Sequence, residues 1–120
     1  MKLGRAMIFV NDLPGMTAFY TNTLGLTPVA ETRMDNYVEF ETGGMLFALH
    51  AIPAELRAQP SLPVKPRESV PVKLSFEVSD PDAERVRLEG LGVPIIRRPW
   101  GAYEYVDPEG NIFGILAASD

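Results

Sequence analysis

The second half of this chain repeats the first. Val10-Asn11-Asp12 is echoed by Val78-Ser79-Asp80, and Leu24-Gly25-Leu26 by Leu91-Gly92-Val93. Tyr37-Val38-Glu39-Phe40-Glu41 is echoed by Tyr103-Glu104-Tyr105-Val106-Asp107, and Leu46-Phe47-Ala48-Leu49 by Ile112-Phe113-Gly114-Ile115. The offsets run 68, 67, 66 and 66 residues in that order. Four matches in one order at a nearly fixed offset make the chain a tandem of two like units. With 120 residues there is room for one domain and one core. The reading is a single domain over 1–120: module one at 1–50, a linker at 51–70, module two at 71–120.

Each module reads as a strand, a helix and three strands. Residues 3–10 are apolar and β-rich. Asp12 is placed to cap a helix with Pro14 in its first turn; Met16, Phe19 and Tyr20 fall on one face, and Gly25 ends it. Strands are expected near 28–33, 36–41 and 45–50. In module two, 71–79 reads as a strand and Asp80 caps a helix opening on Pro81, with Asp82 and Glu84 near its positive end. Gly90 and Gly92 bracket the helix end, and strands follow near 94–98, 102–106 and 111–117. Asp107-Pro108-Glu109-Gly110-Asn111 is a turn. In the linker, Pro53, Pro60, Pro63 and Pro66 favour extended chain, with one or two helical turns within Ala54 to Gln59.

Charge and composition narrow the function. A net charge of −5 and a pI near 4.8 argue against nucleic acid, which needs a basic face, and against anionic membrane surfaces. Without cysteine there is no disulfide, thiolate metal site or cysteine nucleophile. The apolar run Ala6 to Val10 is too short for a signal peptide or a membrane span, so cytoplasmic residence is expected.

Phe9-Val10-Asn11-Asp12, Phe19-Tyr20, Leu24-Gly25-Leu26, Phe76-Glu77-Val78-Ser79-Asp80, Leu91-Gly92-Val93 and Asp107-Pro108-Glu109-Gly110-Asn111 together resemble the glyoxalase/bleomycin-resistance/dioxygenase (vicinal-oxygen-chelate) superfamily. The resemblance covers almost the whole chain. It implies an α+β fold in which tandem βαβββ modules form a curled mixed sheet around a cup. Such folds host several chemistries, so the fold alone does not name a reaction.

The superfamily's metalloenzymes carry His, Glu or Gln on the first and last strands of their modules. Matched by motif, those positions fall here on Arg5, Ala48, Lys73 and Gly114. A guanidinium has no lone pair to give, and Ala and Gly have no donor atom. No metal and no other cofactor is therefore expected. The small residues Ala48 and Gly114 are expected to leave open the space that metal ligands would fill. Alternation puts Met7 and Phe9 on the cup face with Arg5, and Ser75 and Glu77 there with Lys73. Two readings stand for the cations: they bind an anionic ligand, or they pair with Glu77, Glu104 or other carboxylates.

His50, the only histidine, shares a face with Ala48 and Leu46. It either contacts ligand and transfers protons or is an inert strand-end residue. Trp100, Tyr103 and Tyr105 could stack on a flat ligand or pack against protein. Glu104, where fosfomycin-type relatives carry a substrate-contacting tyrosine, is a candidate base beside the cations. The candidate ligand-binding set is thus Arg5, Met7, Phe9, Ala48, His50, Lys73, Ser75, Trp100, Glu104 and Gly114, with His50 and Glu104 as candidate catalytic groups. The favoured expectation is a metal-free, homodimeric protein that binds a small anionic or aromatic molecule, an antibiotic included. The rival expectations are a glyoxalase- or dioxygenase-like enzyme (lyase, isomerase or oxidoreductase) and a structural or regulatory domain without ligand.

Overall fold

The computed structural model of the chain describes residues 1–59 and 61–119; the linker residue Pro60 lies outside them. Two units emerge, Met1–Pro60 and Ser61–Asp120, each with one four-stranded sheet.

In the first unit, β1 (Arg5–Val10) leads into α1 (Leu13–Ala18), then β2 (Thr27–Pro28), β3 (Tyr37–Glu41) and β4 (Leu46–Ala51). The sheet order is β1-β4-β3-β2, with β1 parallel to β4 and the other pairs antiparallel. The mixed arrangement follows from α1, which carries the chain back so that β1 and β4 run the same way. Asp12 caps α1: its carboxylate accepts the Gly15 N–H at 3.0 Å. Glycine at position 15 leaves room for this cap: a Cβ there would stand 2.3 Å from an Asp12 carboxylate oxygen and would push the capping side chain aside. Beyond Ala18 the helix widens to a π turn over Phe19–Thr23, closed by the Leu24 N–H on the Phe19 carbonyl at 3.0 Å. Gly25, at φ +77°, then reverses the chain.

The alternation of β1 splits as the sequence implies. Ala6, Ile8 and Val10 face the helix side, while Arg5, Met7 and Phe9 are exposed. Val10, Leu13, Met16, Tyr20, Val38, Phe40, Phe47 and Leu49 form the buried core. Its aromatic centre sets the Tyr20 and Phe47 rings 5.0 Å apart and the Phe40 and Phe47 rings 5.9 Å apart.

The second unit repeats the plan. β5 (Leu74–Val78) precedes α2 (Pro81–Gly90), followed by β6 (Ile95–Arg97), β7 (Tyr103–Val106) and β8 (Ile112–Ala117) in the order β5-β8-β7-β6. The Asp80 carboxylate caps α2 by accepting the Ala83 N–H at 3.1 Å. At the other end Gly92, at φ +84°, lets the Val93 N–H close on the Leu88 carbonyl at 3.0 Å while both side chains are buried. On the helix side of the sheet Phe113 stacks on Tyr105 at 5.6 Å between ring centroids and meets Phe76 edge-on at 5.9 Å.

The linker divides between the units. The Ala58 N–H donates to the Asn11 side chain at 2.9 Å, whereas the Arg67 N–H and Nε donate to the carbonyls of Gly110 and Glu109 at 2.8 and 3.0 Å. Among its described residues one helical turn forms, the 3-10 segment Ala54–Leu56.

Two expectations are corrected. The strand expected at 28–33 is confined to Thr27–Pro28; after the Val29 N–H meets the Glu39 carbonyl at 2.8 Å the chain turns into the 3-10 segment Ala30–Thr32. The repeat offset through the third strands is 65, not 66. Glu39 pairs with Ala48, and the register Tyr105 with Phe113, continued one step, sets Glu104 beside Gly114. Glu39 and Glu104 are therefore the equivalent residues.

Two glycines with the same backbone strain but different surroundings give a test. Gly43, at φ +83°, has open space where a Cβ would go; Gly110, at φ +89°, would put it 2.4 Å from the Lys65 carbonyl oxygen. Gly43→Ala should cost about 1–2 kcal/mol, the left-handed penalty alone. Gly110→Ala should cost a further 1–3 kcal/mol or so from the clash. Urea denaturation of the two variants measures the difference.

Candidate functional site

Each sheet buries one face against its helix. The other face carries the residues singled out from the sequence, as a grid set by the strand register.

On the first sheet, Phe9, His50 and Tyr37 lie in one row across β1, β4 and β3. Met7, Ala48 and Glu39 form the next row, and Arg5 pairs with Leu46 beyond it. Glu39 is buried although it sits on this face. Burying a carboxylate demands partners, and the structure supplies them. The Tyr37 hydroxyl donates to Glu39, Arg5 Nη1 donates to the Tyr37 hydroxyl at 2.8 Å, and the same Nη1 stands 3.6 Å from Glu39. The hydrogen bond from Tyr37, and after it those of Thr32 and the Arg5 charge, hold the Glu39 carboxyl below its usual range against the opposing effect of burial. Burial first, and the bond to Glu39 second, push the Tyr37 phenol up.

His50 Nδ1 lies 2.9 Å from the Ala51 carbonyl oxygen. Its ring is 5.2 Å from that of Phe9 and 6.1 Å from that of Tyr37. Met7 and Phe9 remain 36% and 56% exposed, a wet apolar pair beside a compensated ion pair.

The second sheet carries the same device. Glu104 is buried and accepts from Lys73 Nζ and from Arg98 Nε; Arg98 also donates to Glu68 at 3.0 and 3.2 Å. The Lys73 hydrogen bond is the main cause that holds the Glu104 carboxyl low, with Arg98 adding to it and burial opposing. Gly114 lies under this bridge: a Cβ there would meet Ser75 Oγ at 2.6 Å and Lys73 Cε at 3.4 Å. Its smallness lets the lysine cross the strand, so the open space expected over Gly114 is filled by protein. Ala48 is likewise fully buried.

The candidate residues thus fall into two groups. Arg5, Met7, Phe9, Ala48 and His50 share the open face of the first sheet; Lys73, Ser75, Glu104 and Gly114 share that of the second. Trp100 belongs to neither: it sits in the turn between β6 and β7, 75% exposed. Tyr103 is turned to the helix side, where the Arg85 guanidinium of α2 lies 4.4 Å from its ring. For the two cations, the ion pairs observed are Arg5 with Glu39 and Lys73 with Glu104. Glu39, Tyr37, Arg98 and Glu68 are the partners that the sequence reading missed. The alternation in Tyr37-Val38-Glu39-Phe40-Glu41 could have given Glu39, because a lone acid between two core residues on a central strand needs a cation.

A divalent metal does not fit these faces. The four positions matched to metal ligands hold two cations and two side chains without donors. Among the described residues no three of His, Asp and Glu gather in a way that could hold an ion. The two buried carboxylates already receive N–H and O–H donors, which a metal would have to displace.

The depressed carboxyls give the pH dependence its sign. Such a group adds stability above its unfolded-state value, near 4.5, and loses it as pH falls through the lower folded-state value. Thermal stability should therefore drop on the acid side of about pH 4.5. Glu39→Gln and Glu104→Gln should each lower stability at neutral pH, by about 1–3 kcal/mol, and flatten the acid limb. Melting curves collected across that range check both effects.

Among curated protein sequences none matches this chain. Solved structures match it along nearly its whole length. It is similar to a lactoylglutathione lyase from Agrobacterium tumefaciens at 24% identity and a TM-score of 0.68, over 98% of this chain and 93% of that one. A glyoxalase/bleomycin resistance protein/dioxygenase family enzyme from Burkholderia phytofirmans PsJN matches at 20% identity and a TM-score of 0.69, over 97% and 98%. A glyoxalase/bleomycin resistance protein/dioxygenase from Nocardioides matches at 25% identity and a TM-score of 0.69, over 98% and 83%. The family profile for the Glyoxalase/Bleomycin resistance protein/Dioxygenase superfamily matches residues 2–115, through both repeats. The chain belongs to that superfamily.

Proposed function

We propose that this protein binds a small, flat, partly aromatic molecule without a metal, on the open face of its first sheet, and sequesters it without turning it over. The observation that carries this reading is the pairing of exposed Met7 and Phe9 with a charge set that neutralises itself. Wet apolar side chains on a sheet face favour a ligand that covers them, at roughly 25 cal/mol for each Å² of apolar surface removed from water. With Arg5 matched by Glu39, and Lys73 and Arg98 matched by Glu104 and Glu68, neither face carries an excess charge for a strongly ionic ligand. The anionic ligand suggested by Arg5 and Lys73 thus gives way to a neutral or zwitterionic aromatic one, a drug or a metabolite.

Acid–base catalysis fits the site less well. A general acid near neutral pH needs a raised carboxyl, and Glu39 and Glu104 are both held low by their donors. The proposal includes a cytoplasmic homodimer. Among the described residues no helix is long and apolar enough to cross a membrane.

The test is a thermal-shift screen of flat aromatic compounds, since a ligand that binds only the native state raises the melting temperature by mass action. Hits should weaken by roughly tenfold in Phe9→Ala, the loss of one aromatic contact. Dialysis against a chelator should change neither the melting temperature nor ligand affinity. Purified protein with close to one tightly held divalent metal per chain would overturn the reading.

A further inference from the structure

On the open face of the first sheet, one imidazole nitrogen is oriented yet unengaged. His50 Nδ1 lies 2.9 Å from the Ala51 carbonyl oxygen. A carbonyl oxygen only accepts, so in the neutral ring the proton sits on Nδ1 and the lone pair on Nε2. Among the described residues Nε2 has no hydrogen-bond partner, and it is not one of the buried orphan atoms, so solvent reaches it. The ring is held in place by more than that bond. Phe9 tilts against it at 45°, and Tyr37 meets it edge-on at 69°. Tyr37 is itself fixed by Arg5 and Glu39, and Phe9, Tyr37 and His50 are register partners on adjacent strands.

The face therefore offers an exposed aromatic ring, an exposed thioether and one oriented acceptor. The nearby charges are matched: the Tyr37 hydroxyl donates to Glu39 and Arg5 pairs with it, so the carboxylate of this face is already engaged. We infer that this face selects aromatic molecules with an O–H or N–H at the ring edge, phenols or N–H heteroaromatics, whose donor is accepted by His50 Nε2 while the ring lies against Phe9 and Met7. The inference rests on the proposed aromatic-binding role and names the ligand class for it. A capped analogue of the same shape would leave Nε2 without its bond, which is how a buried polar group discriminates between near-isosteres.

The only histidine in the chain makes the test direct, because every imidazole signal belongs to His50. The probes are naphthol and its methyl ether, which share a ring system and differ in the donor. At mildly alkaline pH, long-range proton–nitrogen NMR should show the Nδ1–H tautomer, and naphthol should move the Nε2 resonance while the ether leaves it in place. Calorimetry should find naphthol bound roughly five- to tenfold more tightly, the worth of one hydrogen bond. His50→Phe should erase that preference and still bind the ether; His50→Gln, which keeps an acceptor, should restore part of it; Phe9→Ala should weaken both probes alike. Equal binding of the two probes to the native protein, or an Nε2 resonance unmoved by naphthol, overturns the inference and leaves the aromatic-binding role standing. Failure of both probes to bind overturns both.

Discussion

A buried glutamate on the third strand of each sheet, reached by a cation from the first strand across the strand between them, governs how this molecule is built. Glu39 and Glu104 occupy the same place in the two halves, and Arg5 and Lys73 answer them. An ionised carboxylate out of water costs several kcal/mol before any partner is counted. The partners must therefore be in place, and the central strand must let them pass. Small residues there do this. Gly114 runs beneath the Lys73 side chain, and Ala48 stands beside Glu39 in the register. The residue sizes that first suggest an empty hollow are instead the clearance for a salt bridge.

The flanking elements keep that geometry fixed. Asp12 and Asp80 stop the first strand of each unit and start its helix at the same step of the repeat, by the same bond to the N–H three residues on. The phase of Arg5, Met7 and Phe9 against Ala6, Ile8 and Val10 is thereby set. A one-residue slip would bury Arg5 under the helix and expose Val10. In the second unit the turn before β8 has its own lock. The Asp107 carboxylate accepts the N–H groups of Glu109 and Asn111 at 3.0 and 2.9 Å and the Asn111 side-chain amide at 2.8 Å, and Arg67 closes over the outside of the turn. The register that sets Glu104 beside Gly114 starts from this turn.

Much of this was legible in the sequence because it depends on local chemistry. The caps at Asp12 and Asp80, the reversals at Gly25 and Gly92, and the two faces of β1 and β5 follow from residue type and alternation alone. What was missed depends on pairing across strands. The segment after Pro28 looks extended, but only the Val29 N–H finds a ladder partner before Ala30–Thr32 coils away. Residue likeness aligns Tyr37 with Tyr103, two similar aromatics. Hydrogen-bond register aligns Glu39 with Glu104 instead, and Tyr103 turns toward Arg85. Trp100 is a large aromatic beside a glycine, yet Gly101 at φ +95° closes a turn that leaves the indole in water. Composition marks such residues; only pairing says which face they join.

The charge pattern also shows how the buried acids of this fold are balanced by cations of the chain itself. Where a divalent ion sits among carboxylates, the ion's own positive charge balances them. Here the positive charge is covalent, carried by Arg5 and by Lys73 with Arg98, and it arrives on the first strand and beside the third. The electrostatic requirement of a buried acid is met either way. A Lewis acid leaves open coordination positions for substrate, whereas a guanidinium or ammonium locked onto its glutamate leaves none. What stays exposed on the first sheet's face is its apolar edge, Met7 and Phe9, with the imidazole beside them. Shape and a single hydrogen bond are what such a surface has to offer, in contrast to the open coordination positions of a Lewis acid.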